Sequence, residues 1–156
     1  MESLKLFKYS RTSTLILLNN IDKKKWDVQP NGYSNTVRWN AGHVYVTAED
    51  YLNDADKDYK ITHPEWLDFF LDGTSPSDWS DDVPSAKQIV TALEEQKERI
   101  YSHFQDKIND KASVTRDINA TKLDTVDASL QFVTWHEGIH LGFTNALRNT
   151  LNNELN

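Results

Sequence analysis

An apolar helix face interrupted by two imidazoles is the tightest constraint on how this chain can fold. Phe132, His136, His140, Phe143 and Leu147 recur at helical spacing, and at 100° per residue they fall within an arc of about 80°. A helix with that face turns both rings toward its neighbours rather than to water, and two histidines four apart can converge on one divalent ion. One buried histidine is ordinarily satisfied by hydrogen bonds. A pair at i and i+4 in one apolar stripe shifts the balance toward coordination, which satisfies one nitrogen of each ring directly.

Locally, His136-Glu137-Gly138-Ile139-His140 spells the H-E-x-x-H of zinc proteases, in which the glutamate is the general base. The residues downstream argue against that family. Only 16 residues come after His140, none of them histidine, and Leu141-Gly142-Phe143-Thr144-Asn145-Ala146 lacks the H-x-x-G-x-x-H extension. Glu154 is the only later carboxylate, and it sits among polar residues.

Four long helices are expected. Leu4, Phe7, Leu15 and Leu18 place helix one from Leu4 to about Asn20. Pro30-Asn31-Gly32 then forces a turn, and Ser34-Asn35-Thr36 offers caps for helix two, whose stripe is Val37, Ala41, Val44, Ala48 and Leu52 and whose end lies near Asn53 or Ala55. Residues 56 to 84 are rich in Asp, Ser, Gly and Pro and read as a crossover, broken by a short helix at Pro64-Glu65-Trp66-Leu67-Asp68-Phe69-Phe70-Leu71. Ser85 and Gln88 form a capping box for helix three, with Ile89, Leu93, Gln96, Ile100, Phe104 and Ile108 along one face and an end near Ile108. Helix four starts between Thr125 and Ser129 and runs to about Leu151. No alternation long enough for a sheet is evident, so a single all-α domain over residues 1–156 is expected.

Charge and composition narrow the function. A net charge of -7 with scattered lysines disfavours nucleic acid, and zero cysteines leave histidine and carboxylate as metal ligands. Any thiol chemistry must draw on an outside thiol. No window is long and apolar enough for a membrane span, and Met1-Glu2-Ser3-Leu4-Lys5 lacks the layout of a signal peptide, so a cytoplasmic protein without a membrane partner is expected.

His43, about eight residues into helix two, lies roughly 12 Å along its axis, and an antiparallel helix four would carry His136 and His140 to about 16 and 10 Å on the same scale. Its side chain projects some 120° from the middle of the helix-two stripe, a place that suits either an open ligand site at the bundle edge or an exposed, inert ring. His103 near the end of helix three and His63 before the crossover helix compete for the role. If the crossover makes helices two and three parallel, His103 falls at the opposite end of the bundle from His43.

Trp39-Asn40-Ala41-Gly42-His43 in helix two and Trp135-His136-Glu137-Gly138-Ile139-His140-Leu141-Gly142 in helix four together resemble the DinB superfamily of DinB/YfiT-like metalloenzymes, over essentially the whole chain. Members carry one histidine after a glycine-like step in helix two and an H-x-x-x-H-x-G pattern in the last helix, often followed by an arginine such as Arg148. The resemblance implies a four-helix bundle with up-down-down-up connectivity and a long crossover between helices two and three. It further implies a site for zinc, nickel or a similar divalent ion on His43, His136 and His140, and no DNA binding despite the family's name. Where members have a known activity, it is commonly transfer to, or isomerisation with, a low-molecular-weight thiol such as bacillithiol, mycothiol or glutathione, and homodimers are common. Gly138 and Phe143 depart from the family pattern, which often has a bulky or polar residue at the first and glutamine at the second.

The expected function is therefore a metal-dependent thiol S-transferase acting on a small-molecule substrate. A hydrolase using metal-bound hydroxide, with Glu137 as the catalytic proton acceptor, is an alternative, although Glu137 lies 100° around from His136 and reads more simply as a solvated helix position. A third reading is a non-catalytic small-molecule binding or stress protein in which the ion fastens helix two to helix four. Trp39, Trp135 and Phe143 flank the ligands and are candidate pocket-lining residues, against the commoner role of tryptophan in a core.

Overall fold

The computed structural model describes residues 2–154; Met1, Leu155, Asn156 and the carboxylate of Glu154 lie outside what it describes. Five helices and one hairpin follow in the order α1 (Glu2–Asn19), α2 (Val37–Ala55), α3 (Leu67–Phe70), α4 (Ala86–Phe104), β1 (Lys111–Ile118), β2 (Thr121–Thr125) and α5 (Val126–Glu154). The caps sit where their chemistry places them. Thr36 accepts from the Trp39 N–H at the start of α2, and Ser85 and Gln88 close a reciprocal capping box at the start of α4.

Each of α1 and α2 packs against both α4 and α5, which closes a ring of four long helices. Their ends sort into two apolar clusters. One gathers Leu4 and Phe7 of α1 and Leu130 and Val133 of α5 with Leu52 of α2 and Ile100 and Phe104 of α4. The other joins Leu15 and Leu18 to Val37, Ile89 and Leu147, so α1 and α5 run one way while α2 and α4 run the other. No helix among the described residues is long and apolar enough to cross a membrane.

Between the clusters lies a continuous polar layer. Arg11 Nε donates to Glu137 Oε1 at 2.8 Å, Arg11 Nη1 to Gln96 Oε1 at 2.7 Å, Gln96 Nε2 to Glu49 Oε1 at 2.6 Å, and Arg99 Nη2 to the same Glu49 oxygen at 2.6 Å. One layer thus ties all four long helices together. Its charges alternate in sign, which is what allows Arg11 and Glu49 to be fully buried.

Two expectations fail here, each for a physical reason. Helix three stops at Phe104, and residues 111 to 125 form an antiparallel hairpin turned at Asn119 and Ala120, both with positive φ (47° and 66°). Its strands are mostly exposed, with Leu123 the buried exception, so there is little apolar alternation to betray it. In α5 the buried face is Leu130, Val133, Glu137, Thr144, Leu147 and Leu151 rather than the stripe through Phe132 and the histidines. At 100° per residue that face is no narrower than the expected stripe, and it carries a carboxylate whose partner, Arg11, lies in the matching stripe of α1, so periodicity alone does not select it.

Candidate metal centre

Three rings from two helices meet at the seam between α2 and α5. His43, His136 and His140 each offer a ligand nitrogen, and these atoms all lie within 4.8 Å of one another. His43 Nε2 is 3.0 Å from His136 Nε2. Ligand atoms around a tetrahedral ion bound at about 2.0–2.1 Å sit about 3.3 Å apart, so the spacing suits a shared cation with little adjustment.

The other ring nitrogens are held by carbonyl oxygens. His43 Nδ1 lies 2.7 Å from the Phe70 carbonyl, and His140 Nδ1 lies 2.8 Å from Asn40 Oδ1. The Asn40 amide is itself oriented, because its Nδ2 donates to the Thr36 carbonyl and to Asn35 Oδ1 at 2.8 Å each. A carbonyl oxygen can only accept, so both rings carry their proton on Nδ1 and turn the Nε2 lone pair toward the shared centre. This arrangement of outer hydrogen bonds is the one that makes imidazole a ligand.

Electrostatics favours the same state. Burial, reinforced by the neighbouring histidines, pushes His136 down to about 3 and His140 down to about 4. Burial also lowers His43, opposed by its bond to the Phe70 carbonyl and by the charge of Asp72. All three rings are therefore neutral near pH 7, and each can donate a lone pair to a cation.

The crossover builds one wall. A Cβ on Gly42 would collide with the Phe70 ring, so only glycine lets α3 settle against α2 one residue before His43. Thr74 Oγ1 accepts from Trp39 Nε1 at 2.9 Å and lies 2.7 Å from the Leu71 carbonyl, and Trp79 Nε1 donates to the Phe69 carbonyl at 2.9 Å. Thus fastened, the crossover covers the flank of α2 that projects away from its stripe. His43 is consequently 2% exposed rather than at an open edge, and Trp39 stacks on it with centroids 4.5 Å apart.

Beside His43 and His136 opens a cleft of about 290 Å³ whose walls include Thr47, Tyr51, Leu71, Asp72, Arg116 and Phe132. Tyr51 and Phe132 stack at 4.6 Å, and Arg116 lies over Tyr51 at 4.1 Å while pairing with Asp50 and Asp54 at 2.9 and 2.5 Å. A wider groove of about 610 Å³ lies at Ile108, Asp127 and Gln131, but no histidine lines it. The smaller cleft is the one with chemistry at its base.

Of the residues anticipated around the ligands, Trp39 lies at the site and three others do not. Trp135 is 60% exposed and faces the hairpin side of α5, where it neighbours Phe132. Phe143 is 37% exposed and packs edge-on against Tyr33 at 5.5 Å. Glu137 is neither solvated nor beside the rings: it is 1% exposed and bound to Arg11. The competing histidines stand apart, His103 on Asp56 at 2.8 Å and His63 stacked on Trp66 at 4.2 Å.

Sequence reasoning missed Asn40, Phe70, Asp72 and Arg116. Asn40, nearly one turn before His43, was the one with a local signal, since a polar side chain there shares the histidine's face. The others come from remote segments. Compared with known protein families, the chain matches the sequence model of the DinB superfamily over residues 6–144. No curated protein matches it.

Proposed function

This chain belongs to the DinB superfamily, and we propose that it is a metal-dependent enzyme that transfers a low-molecular-weight thiol to an electrophilic small molecule. The observation that carries this reading is the convergence of three neutral imidazoles, two of them with the proton held on Nδ1 by a carbonyl oxygen. A divalent cation such as zinc or nickel on His43, His136 and His140 would supply Lewis acidity, drawing the pKa of a thiol or water toward neutrality.

The protein's own residues do the rest. The Phe70 carbonyl and Asn40 hold two rings in register, and Trp39 shields the His43 face from water. Tyr51, Phe132 and Leu71 offer apolar wall to an electrophile lying against the centre. With no cysteine in the chain, the thiol is a cosubstrate. Commitment of Glu137 to Arg11 removes Glu137 as the proton acceptor of a hydrolase.

The helix directions also support the up-down-down-up bundle of the family. Leu6, Tyr9 and Ile16 on α1 and Trp135 and Ile139 on α5 are exposed apolar side chains on which a homodimer of the family's kind would draw.

Elemental analysis of the purified protein after incubation with zinc or nickel tests the site. About one ion per chain is expected, and none in His136→Ala, in line with the three-ligand count. Conversion of a chloro-aromatic substrate in the presence of bacillithiol, mycothiol or glutathione then tests the chemistry. A loaded protein inert with all three thiols would end the transferase assignment while leaving the metal site standing.

A further inference from the structure

Asp72 sits on the loop after α3, and its Oδ1 lies 3.6 Å from His43 Nε2. The side chain is 97% exposed and makes no other hydrogen bond or ion pair among the described residues. Its charge opposes the effect of burial on His43 and, more weakly, on His140.

That contact is unfavourable as a contact between two protein groups. His43 gives its Nδ1 proton to the Phe70 carbonyl, so the nitrogen facing Asp72 and His136 is a lone pair. An anionic oxygen directed at a lone pair repels it, and a cation between them turns the repulsion into two coordinate bonds. The 3.6 Å separation is close to the roughly 3.3 Å between neighbouring ligand atoms of a tetrahedral site. Nor is the loop free to drift. Gly42 admits the Phe70 ring against α2, Thr74 ties the turn to Trp39, and Gly73 takes the positive φ of 86° that reverses the chain just after Asp72.

Asp50 lines the same cleft, but its carboxylate is taken by Arg116 at 2.9 Å. We propose that Asp72 supplies a fourth, exchangeable oxygen ligand to a cation held by His43, His136 and His140. The inference rests on the metal-dependent reading above and adds to it. The three nitrogens form a group within 4.8 Å to which Asp72 does not belong, and its carboxylate approaches His43 alone, so its exposed side chain must rotate inward to reach a shared ion and is the ligand an incoming anion would displace. Such a site favours a soft thiolate over the hard carboxylate oxygen.

Cobalt(II) titration of the full-length, metal-free protein provides the test, because the visible bands of cobalt report coordination number and ligand type without any turnover. The wild type, Asp72→Asn, Asp50→Asn and His136→Ala are compared. Asp72→Asn is expected to weaken cobalt binding about tenfold or more and to change the intensity and position of the bands. Asp50→Asn, which also removes one charge from the cleft, is expected to leave the bands in place. An Asp72→Asn spectrum identical to that of the wild type overturns the proposal. So does an equal loss of affinity in both aspartate variants with unchanged bands, which would mean that Asp72 acts through charge alone. A wild type without cobalt bands, or a His136→Ala variant that retains them, would instead overturn the metal site itself.

Discussion

The two halves of the histidine cluster are held by different physics. On the α2 side, His43 is 2% exposed, stacked on Trp39 and bonded to a carbonyl 27 residues away, with no room for even a methyl group at Gly42. On the α5 side, His136 and His140 are half-buried, their neighbours Trp135 and Ile139 are 60% and 49% exposed, and a Cβ at Gly138 or Gly142 would meet nothing within 4 Å. One half is held by dense packing from a distant segment. The other is held by the rotation of a helix, which the Arg11–Glu137 pair, about a quarter turn around α5 from the rings, helps to fix together with the buried leucines.

The largest expected effect probes the α5 side. Glu137→Ala strands the buried Arg11 charge and should cost about 3–5 kcal/mol, read as a lower urea midpoint. Replacing both partners by Arg11→Met and Glu137→Leu should recover much of that loss, since the desolvation of both charges is then also removed. A loss below about 1 kcal/mol in Glu137→Ala would mean that the pair does not orient the helix.

A matched pair of glycine substitutions sharpens the contrast. Gly42→Ala drives a methyl into the Phe70 ring and should destabilise by about 1–3 kcal/mol, displacing the wall that carries Phe70 and Asp72. Gly138→Ala meets open space and should stabilise α5 by about 0.5–1 kcal/mol through helix propensity. Thermal unfolding of the two variants reads both signs. Equal effects would erase the distinction between the packed half and the open one.

Acidification gives the smallest effect. The folded protein holds His136 near 3 and His140 near 4, below the ordinary histidine value of 6.5, so the unfolded chain takes up protons that the folded chain refuses. Stability is therefore full above about pH 7 and falls as the pH drops from about 6.5 toward 4. In chelator-treated protein the loss between about pH 7 and 5 should be on the order of 1–2 kcal/mol, smaller than a dry site would show because the rings are half-exposed. A flat urea midpoint across that range would contradict the neutral, lone-pair-bearing state of the rings.

Local chemistry was enough to read the capping box at Ser85 and the break at residues 56 to 84, and to narrow the α2 cap to Ser34, Asn35 or Thr36 and the start of α5 to between Thr125 and Ser129, where the structure has Thr36 and Val126. The i, i+4 histidine pair was equally plain. Caps, breakers and short-range spacing act within one or two turns, and their energies do not depend on what arrives later from elsewhere in the chain. Arg11 and Glu137 were legible in principle, as reciprocal charges in two apolar stripes, but matching them required knowing which helices touch.

What the tertiary structure alone decided has the opposite character. Burial of His43, the choice of Trp39 over Trp135 as a neighbour of the site, the approach of Asp72 and the docking of Arg116 from the hairpin all depend on segments tens of residues apart. A strand without apolar alternation and a flank of α2 that is covered only once the crossover folds over it leave no periodic trace. Periodicity reports which way a side chain points from its own helix axis. Whether water or another part of the chain waits there is settled by packing, which is a property of the assembled fold.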